Sequence, residues 1–261
     1  MTGALGFGIA AAERAGTERL GRAVESLGYA ELWANDTRRG AGLATLAAAA
    51  TGTTRLRFGV GVIALSERGP GRIAGEVGAA SAAGLPLERL TLGVGSGASR
   101  SLDLVRDGVA ELRTLRPELP IAVAAVGPRM CALAGEIGDT VLLNWALPAQ
   151  LERQIGWVAD GAAAAGRRAP RVTAYVRVAV GAGAADRLRA EMRRYAGHSP
   201  AYSRIFAAQR GLVGVAARDA DELAAALLPY RARLDCCVVR ALPSGDEIDA
   251  WLQVAEAAGP G

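Results

Sequence analysis

Hydrophobic positions in this chain fall into short, dense runs that alternate with longer runs of helical period from one end to the other. Such alternation predicts a parallel sheet with helices packed outside it. Predicted strands run Leu5 to Ala10, Ala30 to Ala34, Arg57 to Ala64, Leu87 to Val94, Ile121 to Val126, Thr140 to Asn144, Arg171 to Val180 and Asp235 to Leu242. Helices are predicted at 17–27, 43–50, 71–83, 99–115, 128–137 and 148–165. Helical material continues through Tyr195 and again over 219–230 and 246–257. Thr17 is placed to cap the first helix and Gly28 to end it. The run Val60-Gly61-Val62-Ile63-Ala64-Leu65 is apolar without alternation, as in strands buried on both faces. Eight strand–helix units in 261 residues predict an α/β fold, a single-domain (β/α)8 TIM barrel. An open doubly wound sheet is the alternative, but it usually has fewer strands at this length. The alanine-rich helix near 47–50 suits a close helix or subunit contact and an ordinary outer helix equally well.

Composition removes several kinds of chemistry. All 30 basic residues are arginine, so a Schiff-base lysine, a pyridoxal-phosphate anchor, a carbamylated-lysine bridge and a Walker A lysine are excluded. His198 is the single histidine, which rules out a multi-histidine metal site, and no metal is expected. It lies in the turn-like stretch Ala196 to Pro200 and reads as a surface residue. Cys131, Cys236 and Cys237 make no disulfide framework; the adjacent pair sits in an apolar strand pointing to opposite faces, as buried thiols. The net charge is +4, but the arginines are spread along the chain and aromatic residues make up 5%. That balance favours anionic small molecules and gives no platform for nucleic acid. No apolar run approaches the ~18 residues of a membrane span, and no charged-then-apolar leader opens the chain. The expectation is a cytoplasmic protein with no membrane partner.

A barrel of this type binds ligands past the C-terminal ends of its strands. Those positions are Ala11 to Glu13, Asn35-Asp36-Thr37, Ser66-Glu67-Arg68, Gly95 to Ala98, Gly127-Pro128-Arg129, Asn144-Trp145, Gly181 to Gly183, and Arg240. Gly127-Pro128 opens a helix with proline at its first position, so free amides and Arg129 together suit an anionic group. Gly93-Val94-Gly95-Ser96-Gly97 is glycine-rich between a strand and a helix, and with Ala98 it fits a loose dinucleotide fingerprint. That fingerprint belongs to a first βα unit, and this is the fourth. Glycines at strand ends also relieve crowding, so both turns keep a purely structural reading.

The stretch Pro120 to Met130, continuing through Ala132-Leu133-Ala134-Gly135-Glu136-Ile137-Gly138-Asp139 to Asn144, closely resembles the fifth βαβ unit of bacterial-luciferase-like flavin and deazaflavin oxidoreductases. Leu27-Gly28-Tyr29 to Asp36, Arg57 to Val62, and Arg89 to Gly95 agree in order. The resemblance covers about the first 165 residues well and the remainder through strand order. It implies an oxidoreductase, a reductase using coenzyme F420 or, alternatively, an FMN-dependent monooxygenase or a non-catalytic cofactor-binding barrel. It also implies a homodimer and a small-molecule substrate. By the same resemblance Asp36 lies near the deazaflavin ring. A bulge with a non-proline cis peptide at Gly61-Val62 lies behind the ring, with Ala64 beyond it. Ser96, Gly97, Val126, Gly127, Arg129 and Met130 meet the cofactor phosphate and its neighbours, and Asn144 frames the region. The sugar-phosphate dehydrogenase branch carries a histidine and a glutamate where this chain has Thr37 and Ala98, so no catalytic acid or base is assigned. Only Arg116 to Leu119 precede the fifth strand, where relatives carry an insertion; the loop from Leu65 to Gly71 or a partner subunit is left to cover the pocket. Glu67 and Arg68 read as a solvated loop.

Overall fold

A computed structural model describes residues 2–11, 15–36, 41–99, 101–198 and 200–260. The strands are β1 (Ala4–Ala10), β2 (Glu31–Asn35), β3 (Arg57–Ala64), β4 (Leu90–Gly95), β5 (Ile121–Ala125), β6 (Thr140–Asn144), β7 (Arg171–Val180), β8 (Val215–Ala217) and β9 (Cys236–Ala241). Helices α1 (Thr17–Ser26), α2 (Gly42–Ala50), α3 (Pro70–Ala82), α4 (Leu102–Leu115), α5 (Pro128–Ile137) and α6 (Pro148–Ala164) alternate with the first seven strands. Helices α7 (Ala184–His198) and α8 (Pro200–Gln209) follow β7, α9 (Ala220–Arg231) follows β8, and α10 (Ile248–Ala257) follows β9. Every strand pairing is parallel. The sheet runs β1 to β7 in sequence order, then β9, and β9 pairs with β1 to close it. Eight strands thus form a (β/α)8 barrel. None of the helices among the described residues is long and apolar enough to cross a membrane.

The hydrophobic pattern placed β3, β6, β7 and α5 at their observed ends. Elsewhere local chemistry moved the bounds. Residues Leu87–Arg89 form a 3-10 turn after Pro86, so β4 begins at Leu90. Ser101 caps α4, its hydroxyl accepting from Leu104 N–H at 3.1 Å. Thr17 is not the cap of α1: left-handed Gly16 occupies that position, and Thr17 is the buried first helical residue. Gly28 ends the helix with φ 87°, a conformation costly to other residues. The stretch through Ala196 to His198 is the end of α7 rather than a turn. Two elements carry no strong hydrophobic signal and were not predicted, α8 and the three-residue β8. Strand β8 pairs with Val178–Val180, beyond the Arg171–Tyr175 segment that pairs with β6.

Residues of even number on β6 and β9, and of odd number on β2 and β7, face the barrel axis. A plug of Trp33, Ala122, Leu142, Tyr175, Cys236 and Val238 fills its middle. Trp33 fits only because its register partner is Gly59, where a Cβ would stand 2.3 Å from the indole. Below the plug, buried Glu31 accepts from Trp33 Nε1 at 2.7 Å, Arg57 at 2.8 Å and Arg171 at 2.5 Å, tying β2 to β3 and β7. Outside the sheet, Gly21 of α1 meets the Ala49 carbonyl of α2, where a Cβ would lie 1.9 Å away. The alanine-rich helix serves that close intrachain contact.

Candidate functional site at the barrel mouth

Above the plug, the next inward residues are Asn35 on β2, Asn144 on β6, Arg177 on β7 and Arg240 on β9. Solvent reaches Ala10, Asn35, Val62, Ala64, Ala124 and Asn144, which are half-buried toward the C-terminal ends of strands whose middles are buried. Four of these six are small and apolar. The mouth therefore has a flat, uncharged floor beside a polar wall.

The register of β3 on β4 shifts between Val60 and Ile63, and the Gly61-Val62 peptide is cis, where the resemblance placed both features. Tyr175 donates its hydroxyl to the Gly61 carbonyl at 3.1 Å and supports the bulge from below. A Cβ on Gly95 would meet Val62 at 3.2 Å and Ala124 at 3.3 Å, so these three strand ends touch. Gly97, with φ 63°, lies against Ala64 and Ser66. Ser96 is half-buried beside it.

Past β5, Gln154 of α6 donates to the Val126 carbonyl at 2.8 Å and fixes the turn into α5. Gly127 is the N-cap of α5 with no side-chain cap, and a Cβ there would meet nothing within 4 Å. The first amides of α5 and the exposed Arg129 thus face open space, with half-buried Met130 next to them. Arg129 makes no ion pair with a described residue. This is the anion-binding character of an uncapped helix start.

Asp36 is placed differently from the rest. Its side chain is 2% exposed, is ion-paired with Arg68, and accepts from the Gly42 N–H at 3.1 Å. Arg68 also binds Glu76 at 2.8 Å and is 16% exposed at its side chain, so it is a tether between the β3 loop and α3 rather than a solvated loop residue. The two flanking charges and hydrogen bonds outweigh burial and push the Arg68 guanidinium up from its ordinary range. Glu67 is exposed. Thr37 and Glu13 lie outside the described residues. The structure brings Val62, Ala64, Ser96, Gly97, Val126, Gly127, Arg129 and Met130 to adjoining strand ends, but it commits the Asp36 carboxylate to Arg68. Asn144 accepts from Arg177.

Three groups escaped the sequence reading. Arg177 lies in an apolar strand, 4.0 Å from the Trp145 ring centre and 5.0 Å from that of Tyr195. Gln209 of α8 clamps Trp145, and Tyr195 of α7 packs on its ring at 4.9 Å between centroids. The signal that was present is an arginine of the same parity as Tyr175 inside the run Arg171 to Val180; no local signal marks Gln209 or Tyr195. Burial raises the Tyr195 phenol, but Arg177 and Arg240 outweigh it and hold it below the ordinary tyrosine value. Between α7 and α8 lies a separate cavity of about 470 Å³ over Met192, Phe206 and Leu212.

An eight-stranded parallel barrel with a flat apolar floor, a β3 bulge and an uncapped α5 at its mouth defines an α/β barrel whose candidate site is built from strand ends. The chain belongs to the luciferase-like monooxygenase family, whose model matches residues 5–109 and 104–235. A stretch of 65 residues is 38% identical to the 5,10-methylenetetrahydromethanopterin reductase of Methanolobus tindarius, covering 25% of this chain and 20% of that protein. Among solved structures, an F420-dependent secondary alcohol dehydrogenase in complex with an F420–acetone adduct superposes with a TM-score of 0.77 at 16% identity, covering 100% of this chain and 99% of the other. The coenzyme F420-dependent tetrahydromethanopterin reductase of Methanopyrus kandleri gives 0.73 at 16% identity, covering 100% and 98%. At that identity the solved structures establish the shared fold.

Proposed function

We propose that this protein is an oxidoreductase that uses coenzyme F420 and passes a hydride to or from a small organic substrate at the barrel mouth. The observation that carries the reading is the floor of Val62, Ala64, Gly95 and Ala124 beside the open amides of α5. A flat ring system fits on small apolar residues, and a phosphate fits an uncapped helix start with Arg129 beside it. The names of two similar solved structures, the secondary alcohol dehydrogenase and the tetrahydromethanopterin reductase, both print F420 and favour it over FMN. When bound, the deazaflavin supplies hydride chemistry.

The chain's own residues position and exclude. Gly61 and Val62, held by Tyr175, support the ring plane, while Ser96, Gly97, Val126 and Gly127 line the way from the ring to the phosphate. Arg129 and the amides at the start of α5, with Met130 against them, hold the anionic end. Asn144 orients polar groups at the opposite wall. Asp36 acts at one remove, fixing Arg68 and with it the loop over the mouth. The resemblance also makes a homodimer the expected form, which sedimentation of the purified chain reads directly.

The test is titration of purified protein with F420 and, separately, with FMN, followed by fluorescence quenching. Micromolar F420 affinity, on the order of −8 kcal/mol, with much weaker FMN binding is the expected result. A preference for FMN would move the protein to monooxygenase chemistry. Binding of neither would overturn the reading and leave a barrel without flavin or deazaflavin.

A further inference from the structure

Arg177 and Arg240 are register partners on adjacent strands, both facing inward, and are 2% and 5% exposed. Two guanidinium groups side by side away from water repel each other and lose hydration. Burial, and then the neighbouring Arg177 charge, hold Arg240 below the ordinary arginine range. Among the described residues no carboxylate forms an ion pair with either. Glu191 of α7 is the acid whose field reaches both, and its two oxygens are taken by Arg194 at 2.7 and 2.8 Å.

Neutral groups occupy the remaining directions. Arg177 donates to Asn144 Oδ1 and lies over the Trp145 ring, while its buried Nε has no partner. Arg240 donates to the Ala241 carbonyl at 2.8 Å and to Asn35 Oδ1 at 3.1 Å, passing over Gly8, where a Cβ would lie 3.2 Å from its Cδ. Asn35 and Asn144 are the half-buried residues in front of the pair, so the arginines lie directly behind the open side of the mouth. A purely structural position is better filled by an apolar side chain of similar length, since buried unpaired charge costs stability.

We propose that Arg177 and Arg240 together receive an oxyanion, a carboxylate or phosphate group, carried by the molecule bound at the mouth. Planar guanidinium groups match both anions through paired N–H donors, and the anion supplies the negative charge that no described residue brings into an ion pair with them. The group belongs either to the substrate, which is then an organic acid or phosphate, or to the cofactor, whose phosphate then lies at the pair and not at the start of α5. The inference rests on the mouth being the binding site, but not on the identity of the cofactor.

Inorganic phosphate and acetate are the probes, added at constant ionic strength against chloride and followed by calorimetry and thermal melting. Saturable binding with a rise in Tm is expected. Arg177→Met and Arg240→Met are each expected to weaken it at least tenfold while the unliganded Tm holds or rises, and Arg177→Lys to weaken it less. Phosphate binding at the pair survives Arg129→Ala, which separates it from the start of α5. No saturable response in the native protein, loss of binding with Arg129→Ala alone, or Met variants that only lose many degrees of Tm would each overturn the proposal. Repeating the titration in saturating F420 identifies the source: persistent phosphate binding assigns the anion to the substrate, and competition assigns it to the cofactor. Phosphate binding at the pair without F420 binding would remove the cofactor reading and leave this inference standing.

Discussion

Gln209 holds Trp145 in a left-handed backbone conformation by bonding both sides of its turn. Its amide donates to the Trp145 carbonyl at 2.7 Å, and its oxygen accepts from Leu147 N–H at 2.6 Å. Trp145 has φ 55°, an uncommon value for a bulky residue, and its ring covers Arg177. Gln209→Ala removes both bonds and is expected to lower stability by about 1–3 kcal/mol. Near-ultraviolet circular dichroism should change as the indole leaves its place. An unchanged aromatic spectrum would show that packing under α7 alone holds the ring.

The lower end of the barrel carries the pH dependence. Burial raises the Glu31 carboxyl, but Arg171, the Trp33 N–H and Arg57 outweigh it and hold it below the usual carboxylate range. Because the folded value is depressed, the stabilisation is fully present above the unfolded value of about 4.3 and is lost as pH falls through the folded value. Glu31→Gln is expected to cost roughly 1–3 kcal/mol at neutral pH, under the ~3–5 of a fully buried pair because both arginines keep some solvent. Melting curves from neutral pH to about pH 3 should fall less steeply for the variant than for the native chain.

Gly59→Ala tests the plug. The added Cβ stands 2.3–2.4 Å from three atoms of the Trp33 ring, inside a strand with no free space around it. Overpacking of this kind costs about 1–3 kcal/mol, and at this chain size each kcal/mol lowers Tm by roughly 2–4 °C. A Tm unchanged within error would mean that Trp33 has another rotamer available.

Arg129→Ala separates binding from stability. The side chain is exposed and makes no ion pair with a described residue, so stability should stay within about 0.5 kcal/mol of the native value. F420 affinity should fall about tenfold, near 1.4 kcal/mol, and the remaining binding should depend less on salt. Full affinity in the variant would place the anionic end of the cofactor elsewhere.

Much of this molecule is legible in its residues because periodicity is a local property. Unbroken apolar strands and 3.6-period helices follow from burial on both sides of a sheet, so the eight barrel strands and most helices stand near their predicted places. Glycines within β3 and at the ends of β4 and β5 marked the places where backbone approaches closely for the same reason: such backbone excludes side chains. The short strand β8 and helix α8 were not legible, since three residues carry no period and the apolar residues of α8 gather round Trp145 without a buried face of their own. The partner of Asp36 was not legible for a related reason. Its position after β2 is set by sequence, but its partner Arg68 is 32 residues away and is brought to it only by the β3 loop.

The sequence by itself determined the strand–helix alternation, the absence of lysine chemistry and the residues at each strand end, because these depend on composition and on periods of two and 3.6. Tertiary structure alone decided which of those residues share a surface. Pairing of β7 with β9 set Arg177 beside Arg240, and Trp145 with Tyr195 of α7 covered Arg177. Charge pairing across closed strands is a property of three-dimensional distance, which no run of neighbouring residues encodes.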